Sequence, residues 1–232
     1  MPKYFFALLR HDIRLQFRNG IYLAYGFVLT VYGIILFSFG QYLPAWAIAI
    51  FIYSDPSALG VFFIGALILL EKREDTRLAL AITPISANAY FWSKILTLTF
   101  ASLIAASIIG IIFHPLLNWP LFLVTVALVS ISFIAIGFPI SHMFPTVTSY
   151  MMGASLIFIP IILPMFFALL QPFPSWAHFF PAAAHFKLLL VSFGTKQTDL
   201  GQLLILLFTS LVFTLFCLWI GLFSIKREFA RA

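Results

Sequence analysis

The sequence predicts an all-α polytopic membrane protein with six transmembrane helices, and three observations support this fold class. Hydrophobic residues make up 63% of the 232 residues and charged residues only 9%, whereas a soluble domain carries about 25% charged residues. Six apolar stretches approach or exceed the ~20 residues that a helix needs to cross the hydrocarbon core. Eleven of the thirteen Lys and Arg residues fall into three short clusters beside these stretches: Lys3, Arg10, Arg14 and Arg18; Lys72, Arg73, Arg77 and Lys94; Lys226, Arg227 and Arg231.

The basic clusters also predict how the chain is oriented. Short loops rich in Lys and Arg stay in the cytoplasm, and an even number of spans places all three clusters on one side. We therefore expect a single domain over residues 1–232 that crosses the cell membrane (plasma or inner) with both termini in the cytoplasm. The net charge of +6 does not require a nucleic-acid partner, because the basic residues flank membrane spans.

The N-terminal segment, residues 1–19, is predicted to form a helix in the cytoplasmic interface of the membrane. Arg10, Arg14 and Arg18 are four residues apart, so they fall within about 80° of one helical face. Their guanidinium groups would point toward water, lipid phosphate or a partner. The alternative is a topology signal continuous with the first span. A cleaved signal peptide is disfavoured, since the following apolar stretch is longer than the usual ~7–15 residues.

Six spans follow, and proline is predicted to disturb two of them. Asp55-Pro56 interrupts span 2 and leaves its outer end open. Pro160 and Pro164 should kink or interrupt span 5. A kinked span can act as a gate, although proline is also common in membrane helices. Span 2 lies within the stretch 46–70, most clearly over 57–70 with part of the preceding stretch. The predicted bounds of spans 1, 3, 4, 5 and 6 are 21–39, 95–113, 121–140, 149–170 and 203–225.

The segment 171–187 is predicted to be an extracellular re-entrant element between spans 5 and 6. It contains three prolines, several aromatic residues and two histidines, so it is too short and too broken to cross the membrane. Aromatic side chains prefer the depth of the membrane interface. We therefore expect short helices that dip into the outer interface.

The segment 71–94 is the only strongly charged internal loop. Its four basic and three acidic residues nearly cancel, whereas a topology signal needs only basic residues. This density of both signs favours a surface that docks another protein. Pro84 breaks or starts a helix, and Thr83 or Ser86 can cap one, so we expect a short helix, a break, and a second helix that leads into span 3. A solvated charged turn is the alternative.

Several kinds of chemistry have no signature in the chain. The clearly placed span cores, with span 2 taken as 57–70, contain no Asp, Glu, Lys or Arg. This counts against a proton-driven transporter, although a carrier with carbonyl and hydroxyl ligands stays open. Neither a zinc-protease motif nor a phosphate-binding loop is present. We expect no catalytic residue, metal or cofactor here, and any ATP would be bound by another chain. His114, His142, His178 and His185 lack metal-ligand spacing and are interpreted as interfacial anchors.

The segment 71–94 resembles the cytoplasmic loop of ABC-2 type transporter permeases. Such loops contain an acidic and basic run, a Gly-Thr-Leu stretch, a Thr-Pro-Ile/Val-Ser turn, and then an aromatic residue and a lysine at the start of span 3. This chain departs from that pattern at Asp75, where glycine is usual, and at Arg77, where an apolar residue is usual. The remaining layout of helices agrees with the family. The matching residues are Glu71, Lys72, Arg73, Glu74, Thr76, Thr83, Pro84, Ile85, Ser86, Tyr90 and Lys94.

The resemblance implies the permease subunit of an ATP-driven exporter. Two copies, or one copy and a paralogue, would pair, and each would bind a separate ATPase subunit that holds ATP-Mg. The ATPase would push on the 71–94 loop and the N-terminal helix to move a drug, lipid or other amphiphile outward. Two other classes stay open: a membrane scaffold or assembly factor without transport, and an intramembrane enzyme. The residues implied in coupling to the ATPase are Glu71, Arg73, Glu74, Asp75, Thr76, Arg77, Thr83 and Pro84.

Overall fold

A computed structural model describes residues 2–73, 86–113, 117–196 and 198–230, and within these ranges the chain is helical without any strand. Six of its helices are long and apolar enough to cross a membrane, so the protein is an all-α, membrane-embedded chain. The α-helices are α1 Pro2–Arg18, α2 Ile21–Phe39, α3 Ala45–Ser54, α4 Gly60–Arg73, α5 Ala87–Phe113, α6 Trp119–Ser141, α7 Val147–Ile162, α8 Pro181–Ser192 and α9 Leu200–Phe229. Shorter 3-10 turns cover Gly40–Tyr42, Leu163–Leu169 and Ser175–Phe179, and a π-helical turn covers Asp55–Leu59.

The predicted helix that leads into span 3 is present, and it starts about two turns before the apolar stretch 95–113. Helix α5 starts at Ala87, because Ser86 caps it: the Ser86 hydroxyl oxygen accepts a hydrogen bond from the Ala89 N–H at 3.2 Å. This cap was one of the two predicted from the sequence, and it is confirmed. The earlier start adds two helical turns, and these turns carry Tyr90 and Lys94.

The predicted break in span 2 is wrong. Helices α3 and α4 join through the π-helical turn and form one continuous span, Ala45–Arg73. A π-helical turn pairs residues five apart, whereas the α-helix pairs residues four apart. This shift in pairing accommodates the N–H that Pro56 lacks without ending the span. Asp55 therefore lies within the continuous span, roughly 15 Å from its Ala45 end at ~1.5 Å per residue.

Proline has a different effect in span 5. Helix α7 ends at Ile162, just after Pro160, and the chain continues as the 3-10 helix Leu163–Leu169, whose second residue is Pro164. The two prolines thus change the type of helix instead of reversing the chain. Their role as a gate stays a prediction.

Helix α6 lies at the centre of the bundle and contacts α4, α5, α8 and α9. Over the most apolar 18 residues of each span, the buried share of residues differs widely. It is 75% in span 2 and 61% in span 4, but only 17–22% in spans 1, 5 and 6. Spans 1, 5 and 6 therefore present most of their surface to lipid or to another chain.

Helix α8 packs inside the bundle, against α6, α9 and the 3-10 helix Leu163–Leu169. Three consecutive alanines, Ala182 to Ala184, are each no more than 3% exposed, because small side chains let neighbouring backbones approach closely. His185 is 0% exposed. Its interpretation as an interfacial anchor is wrong, since the whole helix is covered by neighbouring elements.

Candidate functional site

Three charged side chains from three helices meet at the end of the bundle where α4 ends and α5 begins. Lys94 of α5 forms ion pairs with Asp12 of α1, at 3.1 Å from Nζ to Oδ1, and with Glu71 of α4, at 2.5 Å from Nζ to Oε1. The side chains of Lys94, Asp12 and Glu71 are 0%, 2% and 2% exposed. Removing one partner from a buried ion pair costs about 3–5 kcal/mol, so this ionic cluster links the three helices strongly.

Two hydroxyl groups of α5 complete the ionic cluster. The Tyr90 hydroxyl donates to Glu71 Oε2, and the Ser93 hydroxyl donates to Asp12 Oδ2. The Lys94 ammonium also lies 4.6 Å from the centre of the Tyr90 ring. Tyr90, Ser93 and Lys94 occupy positions i, i+3 and i+4 of a helix, which place them on one face. Each carboxylate therefore receives one charged and one neutral donor from α5.

Helix α1 is anchored to α5 along one side. One turn after Asp12, the Gln16 amide donates to Thr97 Oγ1 at 2.9 Å. The contacting positions move toward the C-terminus on both helices, so α1 packs alongside α5 in the same direction. Phe6 and Phe17, at 68% and 67% exposed, lie on the opposite side, about 120–160° away from Asp12. The predicted cationic face is exposed beside this aromatic stripe; it consists of Arg10, Arg14 and Arg18.

The ionic cluster joins the helices on both sides of segment 74–85 to α1. Glu71 lies in the last turn of α4 and Tyr90 in the first turn of α5, so the cluster holds both ends of segment 74–85. Through Asp12 it connects the same point to α1. With one ammonium and two carboxylates, the cluster carries a net charge of −1 when all three groups are ionised.

The structure places the predicted coupling residues in different surroundings. Glu71 is buried in the ionic cluster, where both of its oxygens are engaged by α5. It is therefore not an exposed charge, and its role in coupling to an ATPase stays a prediction. Arg73 is exposed and lines a cavity of about 530 Å³ with Lys72 and Thr146. The other predicted coupling residues lie outside the described residues: Glu74, Asp75, Thr76, Arg77, Thr83 and Pro84.

A second buried polar group lies deeper in the membrane. Asp55, which is 0% exposed, accepts a hydrogen bond from the Tyr25 hydroxyl of α2 at 2.6 Å, and that hydroxyl lies 3.1 Å from Ser102 Oγ of α5. Asp55 Oδ1 has no hydrogen-bond partner in the described ranges. The sequence pattern places Asp55 at an interruption outside the clearly placed core of span 2, whereas the structure places it within the span. Carboxyl groups inside spans are rare and usually functional.

Sequence signals for these missed residues exist, but each has a simpler interpretation. Asp12 is the one acidic residue among the N-terminal arginines, and Asp55 is the one charged residue within an apolar stretch. Asp12 is compatible with an exposed helix face, and Asp55 next to proline is typical of a turn. Neither pattern indicates which side chain on another helix would be the partner.

The described part of the chain contains no group of three or more His, Cys, Asp or Glu residues that could hold a metal ion. Comparison of the chain with protein-family models, with characterised proteins and with solved structures finds no match. The ionic cluster and the Asp55 group are therefore interpreted from their own geometry.

Proposed function

We propose that this chain is the permease subunit of an ATP-driven exporter of the ABC-2 type, with ATP bound and hydrolysed by a separate ATPase subunit. The observation that carries the proposal is the ionic cluster of Asp12, Glu71 and Lys94. It joins the helices on both sides of segment 74–85 to α1. A partner that displaces this segment would therefore act on spans 2 and 3 and on α1 at once.

Transport requires two conformations that the partner stabilises differently. A shift of α4 against α5 would separate Glu71 from Lys94 and leave the buried Glu71 carboxylate without a counter-charge, at a cost of about 3–5 kcal/mol. New contacts with the ATP-bound partner would have to offset this cost. The ionic cluster thus holds one conformation until the partner supplies the free energy for the other.

The remaining parts of the proposal concern location, assembly and substrate. We place the chain in the cell membrane with both termini in the cytoplasm, because Lys and Arg are concentrated at one end of the bundle. A second copy or a paralogue would cover part of the exposed surface of spans 1, 5 and 6. The substrate would be an amphiphile. An open apolar cavity of about 770 Å³, lined by Phe179, Phe208, Phe213 and Phe216, supports an apolar cargo or lipid.

Co-purification tests the assignment. The tagged full-length chain, extracted from its native membrane in mild detergent, should retain an ATPase subunit and hydrolyse ATP, whereas the isolated chain should neither bind nor hydrolyse ATP. Reversing Glu74 and Asp75 to Lys together should weaken this association. One exposed ion pair contributes only about 0–1 kcal/mol, so single reversals should have little effect. Glu71 is left unchanged in this test because it is buried.

Two results would contradict the exporter proposal. Recovery of the chain from native membranes without any ATPase would favour a scaffold. Tight, stoichiometric nucleotide binding by the chain alone would show that no separate ATPase is needed. An unchanged association after the double reversal, with the ATPase still bound, would remove segment 74–85 from the docking surface.

A second candidate function is a carrier driven by an ion gradient, and Asp55 is the observation that favours it. A buried carboxyl group bridged by Tyr25 to Ser102 connects spans 1, 2 and 3, and such groups mark proton or ion pathways in many carriers. Asp55→Asn keeps the shape of the side chain and removes its charge. ATP-driven export that persists in Asp55→Asn would exclude the carrier. Transport that requires Asp55, resists ATP depletion and stops with a protonophore would establish it.

A further inference from the structure

A cavity of about 440 Å³, called the basic cavity below, lies between the ends of spans 4 and 6, at the same end of the bundle as the ionic cluster. Lys72 and Arg227 contribute positive charge to its lining, and both side chains are exposed. Ile220 and Phe223 form an apolar wall, and Phe223 is 58% exposed. The cavity thus combines cations with an apolar surface.

The acidic residue in this cavity does not cancel its positive charge. The Glu228 carboxylate pairs with His142, at 2.6 Å from Oε2 to Nε2, and the other ring nitrogen of His142 lies 2.8 Å from Ser224 Oγ. These contacts hold the end of α9 against the end of α6. Lys72 and Arg227 contribute two positive charges against one negative charge, so the lining stays positive whether His142 is protonated or neutral.

We propose that this cavity binds an anionic phospholipid, with the phosphate between Lys72 and Arg227 and an acyl chain along Ile220 and Phe223. Basic pockets between spans at the cytoplasmic interface suit phosphate headgroups. A soluble anion would use the cations but would gain nothing from the apolar wall. The two neighbouring rings Trp219 and Phe223, which are stacked at 21° with centres 6.2 Å apart, extend that wall along α9. This inference does not depend on the transport function.

Native mass spectrometry with lipid titration tests the proposal on the purified full-length protein. Phosphatidylglycerol should bind more tightly than phosphatidylcholine. Arg227→Gln should weaken the first phosphatidylglycerol site about fivefold, since each basic residue near a membrane surface contributes about that factor. Phosphatidylcholine should lose less, because its choline group offsets the charge of its phosphate. Lys226→Gln is the matched control: Lys226 is the exposed neighbour of Arg227 on the same helix and does not line the cavity.

Two further measurements distinguish a bound lipid from a bound free phosphate and from nonspecific attraction to the positively charged surface. Inorganic phosphate at matched ionic strength should not displace phosphatidylglycerol, and Phe223→Ala should weaken both lipids. Displacement by phosphate, together with full binding in Phe223→Ala, would identify an anion site without a lipid. Equal losses in Arg227→Gln and Lys226→Gln would show nonspecific surface attraction and overturn the proposal. Thermal unfolding midpoints confirm that each variant is folded.

Discussion

Lys94 illustrates how the surroundings of a single residue set what its charge does. In the sequence it belongs to a basic cluster that predicts orientation, yet in the structure its ammonium is fully buried between two carboxylates. Asp55 also differs from its sequence interpretation. Its position before proline suggested a break in span 2, but it lies inside that span and accepts a hydrogen bond from the Tyr25 hydroxyl. Both residues depend on partners from other helices, and spacing along the chain does not predict those partners.

We expect Lys94→Met to destabilise the protein strongly. The substitution leaves Asp12 and Glu71 buried without a counter-charge, which costs about 3–5 kcal/mol. At roughly 2–4 °C per kcal/mol for a domain of this size, the thermal unfolding midpoint in detergent should fall by on the order of 10 °C. Lys226→Met, at an exposed position of α9, should leave the midpoint unchanged.

A charge-free version of the ionic cluster distinguishes an ion-pair effect from a packing effect. Adding Asp12→Asn and Glu71→Gln to Lys94→Met removes the uncompensated charges, and part of the lost stability should return. If Lys94→Met and Lys226→Met unfold at the same temperature, the ionic cluster does not stabilise the fold.

At the scale of elements, small residues determine how closely α9 approaches the central helix α6. The buried side of α9 carries Ser210, Thr214, Cys217 and Gly221 at helical spacing. Thr214 Oγ1 lies 2.8 Å from Ser132 Oγ of α6. Small residues let membrane helices pack closely and bring hydroxyl groups within hydrogen-bond distance. The remaining sides of α9 are largely exposed, which leaves them to lipid or a partner.

Gly221→Ala should separate these two helices and destabilise the protein by about 1–3 kcal/mol. A Cβ atom at Gly221 would lie 2.5 Å from the Ala135 carbonyl oxygen, and a backbone atom cannot move aside as a side chain can. Gly33→Ala in α2 is the matched control, because a Cβ there meets nothing within 4 Å. Thermal unfolding in the same detergent compares the two. Equal midpoints would mean that α6 and α9 shift apart without cost.

On the scale of the whole molecule, burial divides the spans into a central group and a peripheral group. Spans 2 and 4 are mostly buried, and spans 1, 5 and 6 are mostly exposed. The ionic cluster and the basic cavity lie at one end of this bundle, and α8 lies at the other end, beside the 3-10 helix Leu163–Leu169. The two ends therefore differ in chemistry, as expected for a protein with one defined orientation.

Cysteine labelling in intact cells tests that orientation. In a Cys217→Ala background, which removes the only native cysteine, Ser175→Cys should react with a membrane-impermeant thiol reagent. Ala230→Cys should react only after the membrane is disrupted. Both positions are exposed, so burial does not prevent labelling. The reverse pattern would place the basic clusters outside the cell and contradict the orientation.

Composition and charge pattern were sufficient to predict the membrane class and the six spans. The free energy of placing a segment in hydrocarbon depends mainly on the residues of that segment, because polar groups there cannot bond to water. The cap at Ser86 was also predictable, since its partner, the Ala89 N–H, lies only three residues away.

The ionic cluster was not predictable, because Asp12 and Lys94 are 82 residues apart and meet only after the helices have packed. The same holds for Asp55. Its carboxyl group can lie within the span only because the π-helical turn accommodates Pro56 and brings the group to the Tyr25 hydroxyl on another helix. Local free energies thus determine which segments enter the membrane, and contacts between distant helices determine which polar groups come together there.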